Sequence, residues 1–222
     1  VPQVAHAALV VSCDRDHHGA DGIPREPRLH HGRAAARPRH RTLLPIDAIE
    51  LERLQRTPHR DPVTGLADAR TFQLHLVEEM GRAESEGTPL GVVLVDVDLF
   101  AAINEKYGRH VGDQVLAECA LVLKLALREG DVIARLEADR FAVALPDCDL
   151  APARRLAERL RHAIEEHRFP RVGHLSVSAG VAASPRDGMD PAELLGSAER
   201  VLGLAKKAGR HRTAATGPTT TH

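Results

Sequence analysis

The chain has 222 residues, enough for one full domain with a sizeable core and hardly for two. Its formal net charge is −1, so no overall basic field argues for nucleic acid as a partner. Aromatics are only 2% of a chain that is 43% hydrophobic, so the core has to be built from Val, Leu, Ile and Ala.

Residues 1–45 show no hydrophobic period. They carry His17, His18, His30, His31 and His40, many Arg, and Pro24, Pro27 and Pro38. Such a segment reads either as a metal-binding His tract or as a leader that cannot bury enough apolar surface to order. Opening on Val rather than Met is consistent with a fragment or a start-codon artefact. Val4 to Val11 is apolar but short and lacks a basic leader, so neither a signal peptide nor a membrane span is expected. Cys13, Cys119 and Cys148 stand singly without metal spacing, as reduced thiols of a cytoplasmic protein would.

Ile46, Ile49, Leu51 and Leu54 predict a short amphipathic linker helix over residues 46–57. It is read either as a helix lying on the domain or as a connection to an upstream signalling partner. A regular pattern then begins at Asp61. Phe72, Leu76, Val77 and Met80 predict a helix over Thr71 to Glu86. Leu90 to Val97 is a continuous, β-branched-rich run and predicts a buried strand. Helices follow at Ala101 to Tyr107 and Val111 to Leu127. Two strands, Asp131 to Leu136 and Phe141 to Leu145, are close enough for a hairpin. A helix over Ala151 to His167, a strand over Leu175 to Ala183 and a helix over Pro191 to Ala208 complete the series. Pro191 suits a first helical turn and Gly209 a helix stop. The tail over 213–222 is Thr-, Gly- and Pro-rich and is expected to be disordered. The order α-β-α-α-β-β-α-β-α suits an α/β (α+β) fold, ferredoxin-like or palm-like, with a mainly antiparallel central sheet flanked by helices.

Five places could carry chemistry. Asp96-Val97-Asp98 ends the buried strand, where carboxylates can hold Mg²⁺ against phosphates or simply shape a turn. Gly108 to Asp113 opens a long helix whose first amides can meet phosphate. The hairpin tip spans residues 137–140. Arg128-Glu129-Gly130-Asp131 precedes the hairpin. Lys206 and Arg210 lie one turn apart, either aimed at phosphate or closing a helix favourably.

In this order these segments resemble the GGDEF (diguanylate cyclase-like) family over residues 58–212. Asp61-Pro62-Val63-Thr64-Gly65-Leu66 is similar to the family's DPLTGL opening. Asp96-Val97-Asp98-Leu99-Phe100, followed by Ile103-Asn104, resembles its DxDxF element. Gly108 to Asp113 resembles the FGHxxGD turn, with one residue inserted at the Gly–His step. Ser176 to Val181 resembles the late strand, and Ala205 to Arg210 the closing AKxxGR. Glu137-Ala138-Asp139-Arg140-Phe141 stands where the signature pentapeptide belongs.

The resemblance implies that family enzymes join two GTP into cyclic di-GMP, one GTP per domain of a transient dimer. It assigns metal to Asp96, the Val97 carbonyl and Asp139, guanine to Asn104 and Asp113, and phosphates to Lys206 and Arg210. Mg²⁺ is then expected only alongside bound GTP, with no other cofactor. The signature departs from the family: Glu137 and Ala138 replace two glycines, and Arg140 replaces an acid. The Lys after the DxDxF Phe is Ala101, and the Tyr of the last helix is Gly203. Glycine gives positive φ and close approach, and Arg cannot coordinate Mg²⁺. The expectation is therefore a non-catalytic domain. Arg128 and Asp131 match the family's RxxD inhibitory site, with Arg159 as a second arginine, which implies cyclic di-GMP as ligand. GTP binding at the degenerate site and weak residual cyclase activity are the alternatives. A homodimer or a partner signalling protein is the expected assembly.

Overall fold

The computed structural model describes residues 59–217. The His-rich segment 1–45 and the linker helix 46–57 lie outside these residues, as do residues 218–222.

The core is organised around β1 (Leu90–Val97), all eight of whose residues are buried. Its side chains alternate between two faces. Val93, Val95 and Val97 join one apolar cluster with Phe100, Leu116, Leu123 and Leu160. Leu90, Val92 and Leu94 join another with Phe72, Leu76, Leu194 and Leu202. Hence β1 is sandwiched: α2 (Phe100–Tyr107), α3 (Arg109–Leu125) and α4 (Leu150–Glu166) cover one face, and α1 (Ala69–Glu86) and α5 (Pro191–Lys207) cover the other. The same parity puts Asp96 on the α1/α5 face, which decides what it meets.

The sheet order is β2-β3-β1-β4-β5, with β2 at Val132–Glu137, β3 at Arg140–Pro146, β4 at Val177–Ser184 and β5 at Thr213–Ala215. The first four strands pair antiparallel; β4 and β5 pair parallel. The mixed α/β sandwich with a mainly antiparallel sheet is as the sequence predicts. One expectation is corrected: Thr213 does not begin a disordered tail. Residues 213–215 form β5, because Thr216 N–H donates to the Val181 carbonyl (3.0 Å) and Ala179 N–H donates to the Arg212 carbonyl (2.9 Å). Two backbone bonds and a parallel neighbour hold a segment whose composition alone reads as a loop.

Local signals set the ends of the helices. Asp68 caps α1 by accepting from Thr71 N–H at 2.8 Å, and Gly87 ends it at φ 68°. Asp190 caps α5 by accepting from Ala192 and Glu193 N–H, with Pro191 in the first turn.

The seat of α5 depends on Gly180. A Cβ there would lie 2.3 Å from the Ala198 carbonyl oxygen and 2.6 Å from Leu202 N. Only the missing side chain lets α5 lie this close to β4, and α5 carries Lys206 to Asp96. Gly180→Ala should cost about 2 kcal/mol in urea unfolding, the usual range for overpacking. An unchanged unfolding midpoint would show that α5 can shift without loss.

Candidate functional site

Asp96 is 3% exposed and lies directly across the ladder from Arg140. Lys206 Nζ stands 2.6 Å from Asp96 Oδ1, and Arg140 Nε 3.7 Å from Asp96 Oδ2. Arg140 Nη1 also reaches Glu137 Oε1 at 2.9 Å and Glu199 Oε1 at 3.4 Å. Glu199 and Lys206 are seven residues apart, hence on one face of α5. Two cations thus meet one buried carboxylate, and Arg140 in turn ties the hairpin to α5. Burial pushes the Asp96 carboxyl above its ordinary range, and the charge of Asp139 adds to this; the Lys206 hydrogen bond and Arg140 oppose it.

The residues that the resemblance assigns to Mg²⁺ do not fit that ion here. Both Asp96 oxygens face cationic side chains. Among the described residues, no three His, Cys, Asp or Glu side chains cluster as ligands. A guanidinium holds the position beside the carboxylate but has no lone pair to give a substrate-bearing metal. Glu199 was not foreseen from the sequence. Its only signal is the seven-residue spacing from Lys206.

The tip of the hairpin is Ala138-Asp139, with Glu137 paired to Arg140 across a register irregularity. Ala138 has φ 34°, a left-handed value that an L-residue adopts at a cost. Its carbonyl is fixed by Arg135, whose Nε and Nη2 donate to it at 2.9 and 2.6 Å. Arg135 Nη1 meanwhile donates to both Asp61 oxygens at 3.0 and 3.1 Å. The strain at Ala138 is thus held by a bridge from Asp61. Ala138→Gly should raise stability by about 1 kcal/mol, read as a higher urea midpoint. A lower midpoint would show that the turn needs the alanine methyl.

The second aspartate of the DxD element has a structural place. Asp98 is 6% exposed and accepts from Ser176 Oγ (2.8 Å), Ser178 Oγ (2.7 Å) and His211 N–H (3.0 Å). It ties the end of β1 to β4 and to the turn after α5. Leu99, itself 65% exposed, then turns the chain at φ 58° into α2.

Asn104 and Asp113 come to one corner. A Cβ on Gly112 would lie 1.9 Å from Asn104 Oδ1, so the Asn104 amide sits on that glycine, and exposed Asp113 follows it in the first turn of α3. Helix α3 starts at Arg109 directly after Gly108, which has φ 84°. The residue read as inserted in this turn is therefore a replacement: Tyr107 to Asp113 has the full length of FGHxxGD, with Arg109 in the His position. Arg210 lies apart from this cleft's ion pairs; it is exposed, at φ 61°, beyond the end of α5.

The RxxD segment is preassembled at the other end of α3. Arg128 Nε donates to Asp131 Oδ1 at 3.0 Å, and Arg128 N–H donates to Oδ2 at 3.1 Å. Arg128 Nη2 donates to the Pro146 carbonyl at 2.5 Å. The Asp131 side chain is 3% exposed, whereas that of Arg128 is 60% exposed. Its pairing with Asp131 raises the Arg128 pKa further, so it is a fixed cation. Arg159 on α4 donates through Nη2 to the Ala126 carbonyl at the end of α3 (3.0 Å). Arg159 thus binds at the C-terminus of α3, where the partial negative charge favours it, whereas the Arg128 guanidinium is held by Asp131 and Pro146.

Comparisons with known proteins agree with this architecture. The family model described as "Diguanylate cyclase, GGDEF domain" matches residues 58–212. The response regulator PleD of Caulobacter vibrioides is 36% identical over 157 residues, 68% of this chain and 34% of PleD. The probable diguanylate cyclase DgcT of Escherichia coli is 30% identical over 161 residues, 69% of this chain and 35% of its own. The GGDEF domain of DgcB from Caulobacter crescentus, solved in complex with c-di-GMP, superposes with a TM-score of 0.66 at 26% identity, covering 70% of this chain and 92% of that one. The chain spans about a third of the length of PleD and DgcT. Among the described residues, no helix is long and apolar enough to cross a membrane.

Proposed function

The chain belongs to the GGDEF family, homologous to diguanylate cyclases, and on that premise we propose that it binds cyclic di-GMP through Arg128 and Asp131 without acting as a cyclase. The observation that carries this reading is the ready-made Arg128–Asp131 pair on an exposed loop, with Arg159 beside the same helix end. A guanidinium fork matches guanine O6 and N7, and a carboxylate accepts from the guanine N1 and N2 donors. Arg159 would be the second arginine, meeting the ligand from a neighbouring domain. Binding would exchange the Arg128 side-chain bonds to the Pro146 carbonyl and to Asp131 Oδ1 for bonds to the ligand, and would uncover the Asp131 carboxylate, now 3% exposed, for guanine.

The catalytic half of the reading rests on the signature cleft. Its carboxylate is neutralised internally, and Arg140 stands where the family has an acid. The second reading is GTP held as a regulatory ligand at Asn104, Asp113, Lys206 and Arg210. The Asn104–Asp113 corner favours it, while the Lys206–Asp96 pair weighs against it.

The test is fluorescence anisotropy with labelled cyclic di-GMP. Arg128→Ala should weaken binding about 30-fold, the worth of one bidentate base contact. Equal affinity in the variant would overturn the assignment.

A further inference from the structure

A strongly basic groove lies between α4, β5 and the end of α5, apart from both sites above. Its volume is about 1050 Å³, and Arg154, Arg155, Arg186 and Arg212 line it. Its two acids are already engaged. Asp149 caps α4 by accepting from Leu150 N–H at 2.7 Å, and Glu158 pairs with Arg161 at 3.0 Å. Among the described residues, Arg154 and Arg155 pair with no carboxylate, Arg212 Nε donates only to the Arg210 carbonyl, and Arg186 stands 3.8 Å from Asp187. The net charge of the whole chain is −1, so this excess is local.

The groove is bounded by an open sheet edge. Among the described residues β5 pairs with β4 on one side alone, so its outer side offers main-chain donors and acceptors that no other described strand takes up. The wall beside it is small and apolar, with Ala205, Ala208 and Ala214, and 53%-exposed Leu204. Small side chains let another backbone approach. Thr213 Oγ1 is buried there without a hydrogen-bond partner.

We propose that this groove docks an acidic, extended peptide segment of a partner protein, which adds as a strand beside β5. Strand addition takes its affinity from main-chain bonds, and the arginines select carboxylates on alternate side chains. No aromatic side chain lines the groove to stack a nucleotide base. Two copies of this chain joined edge to edge at β5 would set four arginines against four, which like-charge repulsion disfavours.

The probe is a fluorescent peptide alternating Glu and Val, followed by anisotropy with the full chain. It should bind, and Arg154→Glu with Arg186→Glu should weaken it about tenfold or more. Both positions are exposed, and a thermal melt confirms that the double variant is folded. Methylating alternate peptide nitrogens should abolish binding, whereas raising salt from about 50 to about 300 mM should only weaken it. Equal binding of a control peptide alternating Lys and Val, of the methylated peptide or by the double variant would overturn the proposal, as would self-association of the protein through this edge in sedimentation. Cyclic di-GMP binding at Arg128 is read separately and can fail without affecting this result.

Discussion

Purified protein supplied with GTP and Mg²⁺ should form no cyclic di-GMP above a buffer blank. Phosphoryl-type transfer depends on positioning and on metal-borne positive charge at the reacting phosphates. Here Arg140 and Lys206 neutralise Asp96, and Glu137 and Glu199 are held against Arg140. Ala138 puts a methyl on a turn that the family closes with glycine. Losing metal ligation and close substrate approach together removes about 4 kcal/mol or more of transition-state stabilisation, a factor of about 10³. Arg140→Glu alone should restore no turnover, because Glu137 and Ala138 remain. Chromatographic detection of product checks both. Product formation by the unmodified chain at a rate typical of the family would refute the reading of the cleft.

Lys206→Met should destabilise the domain by about 3 kcal/mol, because it takes the nearest cation from a buried carboxylate. Asp96 has its side chain 4% exposed, so water cannot replace the ammonium. The pH dependence follows from the direction of the Asp96 shift. Its folded-state pKa is raised above the unfolded value of 3.8, so the folded state holds the proton more tightly. Asp96 therefore costs nothing extra below about pH 4, and stability falls as pH rises through the raised pKa. Removing Lys206 raises that pKa further and widens the window. The loss in Lys206→Met should accordingly be small near pH 4 and largest near neutrality, as urea midpoints at both pH values would read. A loss independent of pH would mean that Lys206 stabilises α5 by packing alone.

Much of this domain is legible in its sequence because buried strands and capped helices leave local marks. The apolar run of β1 predicts Leu90 to Val97, the bounds observed, since a strand buried on both faces needs no polar alternation. β5 leaves no such mark: three residues of Thr and Ala become a strand only because β4 offers an edge. The start of α3 at Arg109, two residues before the predicted Val111, is similar, because Gly108 fixes it by a positive φ rather than by a capping side chain. At the site, charge reversal at Arg140 is plain from the residue type alone. Its partner Glu199 is not, because a pair 59 residues apart exists only once α5 lies on the sheet. Asp98 shows the converse: sequence reasoning groups this carboxylate with Asp96, but it lies just past the end of β1 and serves as a structural tie to Ser176, Ser178 and His211.

The most direct measurement is a pair of calorimetric titrations of one protein sample, first with cyclic di-GMP and then with GTP plus Mg²⁺. Saturable heat with cyclic di-GMP and none with GTP is the expected result. No heat with cyclic di-GMP, or a GTP signal that is lost in Asp113→Ala, would contradict it.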